Sequence, residues 1–313
     1  MSASHTIKRW RHSAALHWRM TRPAFLLITL AACAAGIAIA VADTGVIHIG
    51  RALITVLLAC VAHAGANVLN DWQDARNGAD AANRDGIYPF TGGARLIQQG
   101  VASEQQTARW SALLLLALLP AGSLLALAAG PQLAAVGAAG LFIAWAYSAP
   151  PLQLMSRGLG EPSVGVAWWL VVIGADCVQR GQLAAAPALL GLSTGLLVAC
   201  ILLINGFPDA RADASVGKRT LAVRLGARNA AILYVALMLG AHAWLAACAV
   251  IWDVLPGAAW ALLSLPPGGA AAALLWRHRA QPARLKPALA LTIASANLHA
   301  LALAAGLLLC APG

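Results

Sequence analysis

Charge is scarce in this chain: only 10% of its 313 residues are charged, and 11 acidic residues stand against 21 Lys and Arg. So little charge excludes an ordinary soluble domain, whose surface needs far more of it. The six cysteines, Cys33, Cys60, Cys177, Cys200, Cys248 and Cys310, occur singly within apolar runs. They have no metal-ligand spacing, which excludes a zinc site and a disulfide framework and leaves them as small packing residues. The N-terminus also lacks a small-residue cleavage pattern, so the first apolar span is expected to persist. What remains is 60% hydrophobic, with a mean hydropathy of +0.74. That describes a polytopic membrane protein.

Apolar runs long enough to span a bilayer fall at about 23–42, 52–70, 110–129, 131–148, 162–178, 183–207, 230–252, 254–276 and 287–311. The expected fold is therefore all-α, with nine transmembrane helices in one domain over 1–313 and a basic segment at 1–22. Ala, Gly and Leu dominate the spans, which suits close helix packing. A cytoplasmic N-terminus places 19 of the 21 Lys and Arg on one side, leaving only Arg51 and Arg180 opposite. The net charge of +10 is then a topological signature. No basic soluble domain exists to bind nucleic acid. The N-terminal Trp10 and Trp18 among basic residues suit a helix lying on anionic lipid.

Against this background, LNDWQDARNGAD (69–80) ends the second span and INGFPDARADASVGKRTLAVRLG (204–226) ends the sixth. Four crossings separate them, so both open on the same side. Asn70 and Asp74 are four apart, as are Asn205 and Asp209, and Asp213 adds a further turn. Helical spacing stacks these groups on one face, and Asp71 joins Asp74 through i,i+3. Clustered like charges beside a low-dielectric core are costly unless cations compensate them. Mg²⁺ bound by a few carboxylates and by substrate phosphate oxygens answers that cost. The aspartates are thus expected to grip a phosphorylated headgroup whose lipid tail enters the bilayer. Pro208 removes a backbone donor and is expected to break the sixth span.

The two stretches resemble the paired aspartate-rich motifs of the UbiA-type intramembrane prenyltransferases. Within that superfamily the likeness is greater to 1,4-dihydroxy-2-naphthoate polyprenyltransferases of menaquinone synthesis. It rests on Gly78-Ala79-Asp80, TGGARLIQQG (91–100), PPLQLMSRGLGE (150–161) and GKRTLAVRLG (217–226). Many members carry a further Asp where this chain has Gly78, and Asp80 is the nearest substitute. The resemblance implies that Asp71, Asp74, Asp209 and Asp213 bind Mg²⁺ bridging a polyprenyl diphosphate. Asn70 and Asn205 assist, and Arg211, Lys218 and Arg219 neutralise the leaving group. The electrophile so released would attack an aromatic acid, either the dihydroxynaphthoate or 4-hydroxybenzoate. Residence in a bacterial inner membrane, with the site facing the cytoplasm, completes the expectation.

Arg95 and Arg157 are candidates to hold the acceptor carboxylate, each set against a merely topogenic role. Tyr147 either lines the acceptor pocket or anchors at the interface. His63, His242 and His299 lack ligand-spaced partners and read as packed, solitary histidines. Trp168 and Trp169 read as interface or lipid-facing residues. A transporter would place carboxylates at mid-span, whereas here they sit at helix ends. The D-x-x-D-G-x-x-A-R pattern of phosphatidyl transfer is absent.

Overall fold

The computed structural model describes residues 13–251 and 254–310, so Trp10 and the arginines before residue 13 lie outside the described residues. Residues 13–20 are helical, and a 3-10 turn at Pro23–Leu26 leads into α1 (Leu27–Thr44). Then follow α2 (Ile49–Asn77), the single turn α3 (Ala79–Ala82), α4 (Glu104–Ala129) and α5 (Gln132–Ala146). After them come α6 (Gly160–Arg180), α7 (Ala185–Ser215) and α8 (Leu221–Ala246). A 3-10 segment, Ala258–Ser264, precedes α9 (Leu265–His278), and α10 (Lys286–Leu309) closes the bundle. There is no strand among the described residues.

Eight helical segments among the described residues are long and apolar enough to cross a membrane, one fewer than the sequence suggests. The ninth, α5, has only 15 helical residues, roughly 22 Å, yet it runs alongside the whole of α6, from Gly130 beside Gly181 to Tyr147 beside Gly160. Its apolar run continues past Tyr147, but the chain there turns towards the prolines at 150 and 151. The expected break at Pro208 does not occur, because α7 runs unbroken from Ala185 to Ser215. Proline forfeits only the bond its own N–H would give to the Ile204 carbonyl. Neighbouring bonds, and burial of Ile204, Phe207 and Pro208, hold the axis.

In α7, buried residues recur around most of the circumference, so this helix becomes the centre of the bundle, packed against α6, α8 and α10. Leu197, Ile201, Tyr234, Leu275 and Leu289 fill the core between α7, α8, α9 and α10. A second core joins α1, α6 and α10 through Ala35, Ile39, Val172 and Leu303. Small residues set these approaches: a Cβ on Gly36 would collide with the Val172 carbonyl of α6.

Two expectations about individual side chains change. His242 and His299 are not solitary, because both bond the Ser264 hydroxyl, at 2.8 and 3.1 Å. Burial without water forces polar groups on different helices to find one another. Trp168 faces inwards, its ring edge-on to His63 with centroids 4.7 Å apart. Cys310 is exposed, Cys60 is half-buried and the other four cysteines are buried; all six are free.

Candidate active site

Gly78 ends α2 in a left-handed conformation, φ 82°, that few other residues adopt cheaply. The chain reverses at once into α3, and Asp80 swings back beside the end of α2. Asp80 is 5% exposed and lines a polar cavity of about 100 Å³ with Asn70 and Asp74 of α2 and with Asn205, Asp209 and Asp213 of α7. The two aspartate-rich stretches, whose matching asparagines Asn70 and Asn205 are 135 residues apart, therefore share one pocket.

Lys218 ties them together. Its Nζ donates to both carboxylate oxygens of Asp74, at 3.0 and 3.1 Å, and lies 3.4 Å from Asp213. The opposing carboxylates raise its pKa despite burial. Asn70 Nδ2 donates to Asp74 at 3.0 Å, and Asn83 Nδ2 donates to Asp209 at 2.7 Å. Arg22 pairs with Asp71, and the neighbouring aspartates hold its pKa up against burial. The 91–94 loop presses in from above. A Cβ on Gly93 would sit 2.9 Å from both Asp71 Oδ1 and Asp80 Oδ2, so only glycine lets the backbone approach there. The Ala94 N–H donates to Asp71 at 3.3 Å. Burial, followed by the charges of Asp74 and Asp71, pushes the Asp80 carboxyl up to about 7.

Not every residue singled out from the sequence reaches this cavity. Asp71 lies beside it, engaged by Arg22 and Ala94, and lines a separate small void with Arg95. Arg95 donates to the Asn83 carbonyl at 2.9 Å. Arg211 is 82% exposed and pairs with Asp85 at 3.0 Å. Arg219 is exposed, and Arg157 is turned to the Pro151 carbonyl at 2.7 Å. Tyr147, in contrast, lines the cavity. The residues missed are Arg22, Asn83 and Glu161, which line it without belonging to either motif. Arg22 counted only towards topology, and the Thr21-Arg22-Pro23 triplet before the first span was its one signal.

Beyond the polar cavity lies an apolar one of about 260 Å³, and Arg22, Asn70, Phe90, Tyr147, Leu202 and Asn205 line both. Its walls include Ala59, Ala62, Ile143, Val164 and Val198, with His63 bonded to Thr29 at 2.8 Å. The pair of cavities suits a molecule with an anionic head and an apolar tail.

A divalent cation fits the polar end on donor chemistry. Asp71, Asp74, Asp80, Asp209 and Asp213 converge on the half-buried cations Arg22 and Lys218, so carboxylates outnumber them and every candidate ligand is a hard oxygen. Among the described residues no three acidic, His or Cys groups form a ready metal cage. Mg²⁺ in general keeps several waters and takes further oxygens from a phosphate, so it does not require such a cage.

The chain has relatives among known proteins. The 1,4-dihydroxy-2-naphthoate octaprenyltransferase of Mycobacterium leprae (strain TN) is 31% identical over 60% of this chain and 62% of its own length. The matched segment thus spans under two thirds of that relative. The protein of the same name from Haemophilus influenzae is 28% identical over 87% of this chain and 89% of its own length. The apo structure of a UbiA homolog from Aeropyrum pernix K1 superposes with a TM-score of 0.65 at 18% identity, covering 91% of this chain and 97% of that one. A homolog from Archaeoglobus fulgidus bound to DMAPP and Mg²⁺ gives 0.59 at 14% identity, covering 90% and 97%. Residues 26–298 match the UbiA prenyltransferase family, and the chain belongs to it.

Proposed function

We propose that this protein transfers a polyprenyl group from an allylic diphosphate to an aromatic acid, with 1,4-dihydroxy-2-naphthoate as the acceptor and Mg²⁺ as the cofactor. The carrying observation is the Asp74–Lys218–Asp213 bridge, set in a polar cavity that shares its far wall with an apolar one. Asp74, Asp80, Asp209 and Asp213 are the residues to hold Mg²⁺, with Asp71 beside them. When bound, the metal supplies charge stabilisation for a diphosphate leaving group. Lys218 and Arg22 bring fixed positive charge to the same oxygens, and Asn70 and Asn205 offer amide donors at the boundary with the tail. Arg95, Arg157, Arg211 and Arg219 do not line the cavity and are assigned to capture of anionic substrates rather than to the reacting atoms. Burial among apolar helices excludes water, which would otherwise intercept an allylic cation.

The acceptor assignment draws on the names of the relatives and on the loop stretches at 91–100 and 150–161; 4-hydroxybenzoate is the alternative. The protein acts as one domain over 1–313 in a bacterial inner membrane, with the N-terminus and site on the cytoplasmic side, as the Lys and Arg distribution indicates.

Asp74→Asn and Asp209→Asn keep size and hydrogen bonding while removing charge. Each should lower turnover by about 10²–10³, equivalent to ~2.7–4 kcal/mol of lost transition-state stabilisation. Purified protein, a labelled polyprenyl diphosphate and a panel of aromatic acids provide the assay. Turnover that survives either substitution, or a chelator, overturns the reading.

A further inference from the structure

Glu161 is the one carboxylate lining the polar cavity that neither aspartate-rich stretch supplies. It is 3% exposed, at the first turn of α6. Among the described residues it makes no ion pair, and the only hydrogen bond to its carboxylate comes from its own backbone N–H. Lys218, which lines the same cavity, spends its contacts on Asp74 and Asp213 instead. An unpaired carboxylate at this depth is costly unless a ligand completes it. The N-terminal amides of α6 lower that cost, but they do not explain why an acid stands there.

Its position indicates the ligand. A Cβ on the preceding Gly160 would lie 3.4 Å from Cε2 of Tyr147, so Glu161 begins its helix against the tyrosine that lines both cavities. The boundary is where the reacting carbon of an allylic diphosphate must sit if its head occupies the polar cavity and its tail the apolar one. Glu161 lines the polar cavity and not the apolar one, so it meets an acceptor ring that attacks that carbon from the polar side.

Building on the transfer reaction proposed above, we infer that Glu161 is the general base for the acceptor: its carboxylate takes the proton of the ring hydroxyl as the ring attacks. The O–H bond breaks, and the proton goes to a Glu161 oxygen. The freed electron pair delocalises into the ring, whose carbon bonds to the allylic carbon. The carbon–oxygen bond to diphosphate has by then broken, its electron pair leaving with the diphosphate, so the ring meets an allylic cation. The substituted ring carbon then loses its hydrogen as a proton to the diphosphate, and Glu161 returns its proton to the ring oxygen. Glu161 ends unchanged, and the products are prenylated acceptor and protonated diphosphate. Glu161 makes no direct contact with a cation, feeling Lys218 only at longer range, and is free for this exchange, whereas Asp74 and Asp213 are held by Lys218.

Glu161→Gln keeps the shape and removes the base. With 1,4-dihydroxy-2-naphthoate, kcat should fall by about 10²–10⁴, while the KM for polyprenyl diphosphate and the Mg²⁺ concentration for half-maximal rate stay as in wild type. A ring-fluorinated dihydroxynaphthoate, whose hydroxyl ionises more readily in water, should recover most of the loss in the variant and little in wild type. That selective rescue is a readout a structural role cannot give. Equal losses with both acceptors, or a raised Mg²⁺ requirement marking a cation ligand, overturn the inference. If the Gln variant does not fold, Glu161→Asp takes its place. Its carboxylate is set back by one methylene, so its fluorinated-to-parent rate ratio should exceed wild type's; an unchanged ratio overturns the inference. Wild-type protein that transfers to neither acceptor removes the proposed function and this inference with it. Transfer without selective rescue removes the inference alone.

Discussion

Asp80 shows how one turn residue sets the chemistry of a site. Gly78 reverses the chain, and the carboxylate that follows is buried among Asp74 and Asp71, which pushes it up to about 7 from its ordinary 3.8. The sign of the effect on stability follows directly. Below pH 3.8 both folded and unfolded chains hold the proton. Between there and about 7 only the unfolded chain ionises freely, so folding is increasingly penalised; above 7 the penalty is complete. Asp80→Asn should therefore stabilise the metal-free protein at pH 8, by about 1–4 kcal/mol, and leave it unchanged near pH 4. Thermal unfolding at the two pH values measures this. Excess Mg²⁺ should erase the advantage if Asp80 is among its ligands. The i,i+4 series of Asn70 with Asp74, and of Asn205 with Asp209 and Asp213, is legible in the sequence because helical periodicity alone places those groups on one face. Arg22 and Glu161 are not, because each reaches the cavity from a segment that only tertiary packing brings near; Asn83 caps the turn that carries Asp80, and no spacing marks it.

At the scale of elements, the face opposite the site carries its own logic. Arg180 at the end of α6 donates to both oxygens of Asp176 at 3.0 Å and pairs with Asp43 at the end of α1. Asp176 is wholly buried, so its charge depends on this partner. Arg180→Met should destabilise the bundle by about 3–5 kcal/mol, because it leaves a buried carboxylate uncompensated. Asp176→Asn in the same chain should restore much of the loss. A double-mutant cycle on detergent-solubilised protein would measure it, and two independent losses would show that the pair does not couple α1 to α6. Arg51 likewise donates to the Ala128 carbonyl at the end of α4, at 2.9 Å. The two arginines that run against the charge bias are thus both engaged at helix ends, Arg180 by carboxylates and Arg51 by a carbonyl. Span existence is readable from hydropathy, since apolar length is what a bilayer demands. The shortness of α5 and the continuity of α7 through Pro208 are not, because a turn before paired prolines and dense packing around a buried proline override local propensity.

At the scale of the whole molecule, the apolar cavity behind the site meets a second of about 310 Å³ between α2, α4, α5 and α6. Ala59, Ala62, Gly140, Ala167 and Val171 line both, so the passage between them is walled mainly by small side chains. A polyprenyl tail has no polar group to fix its length, so only the reach of this space can select it. Gly140 on α5 is the place to test this, since a Cβ built there meets nothing within 4 Å and projects into open space. Gly140→Phe fills the junction without displacing a neighbour at Cβ. The KM for a long polyprenyl diphosphate should rise about tenfold or more, while a ten-carbon donor, which ends before the junction, should stay within about threefold of wild type. Competition between the two donors in one vessel reads the ratio directly. An equal loss for both would mean that the substitution had disturbed the headgroup end or the fold. An unchanged ratio with full activity would mean that the tail leaves the bundle by another route, between α2 and α4, and that the second cavity plays no part in holding it.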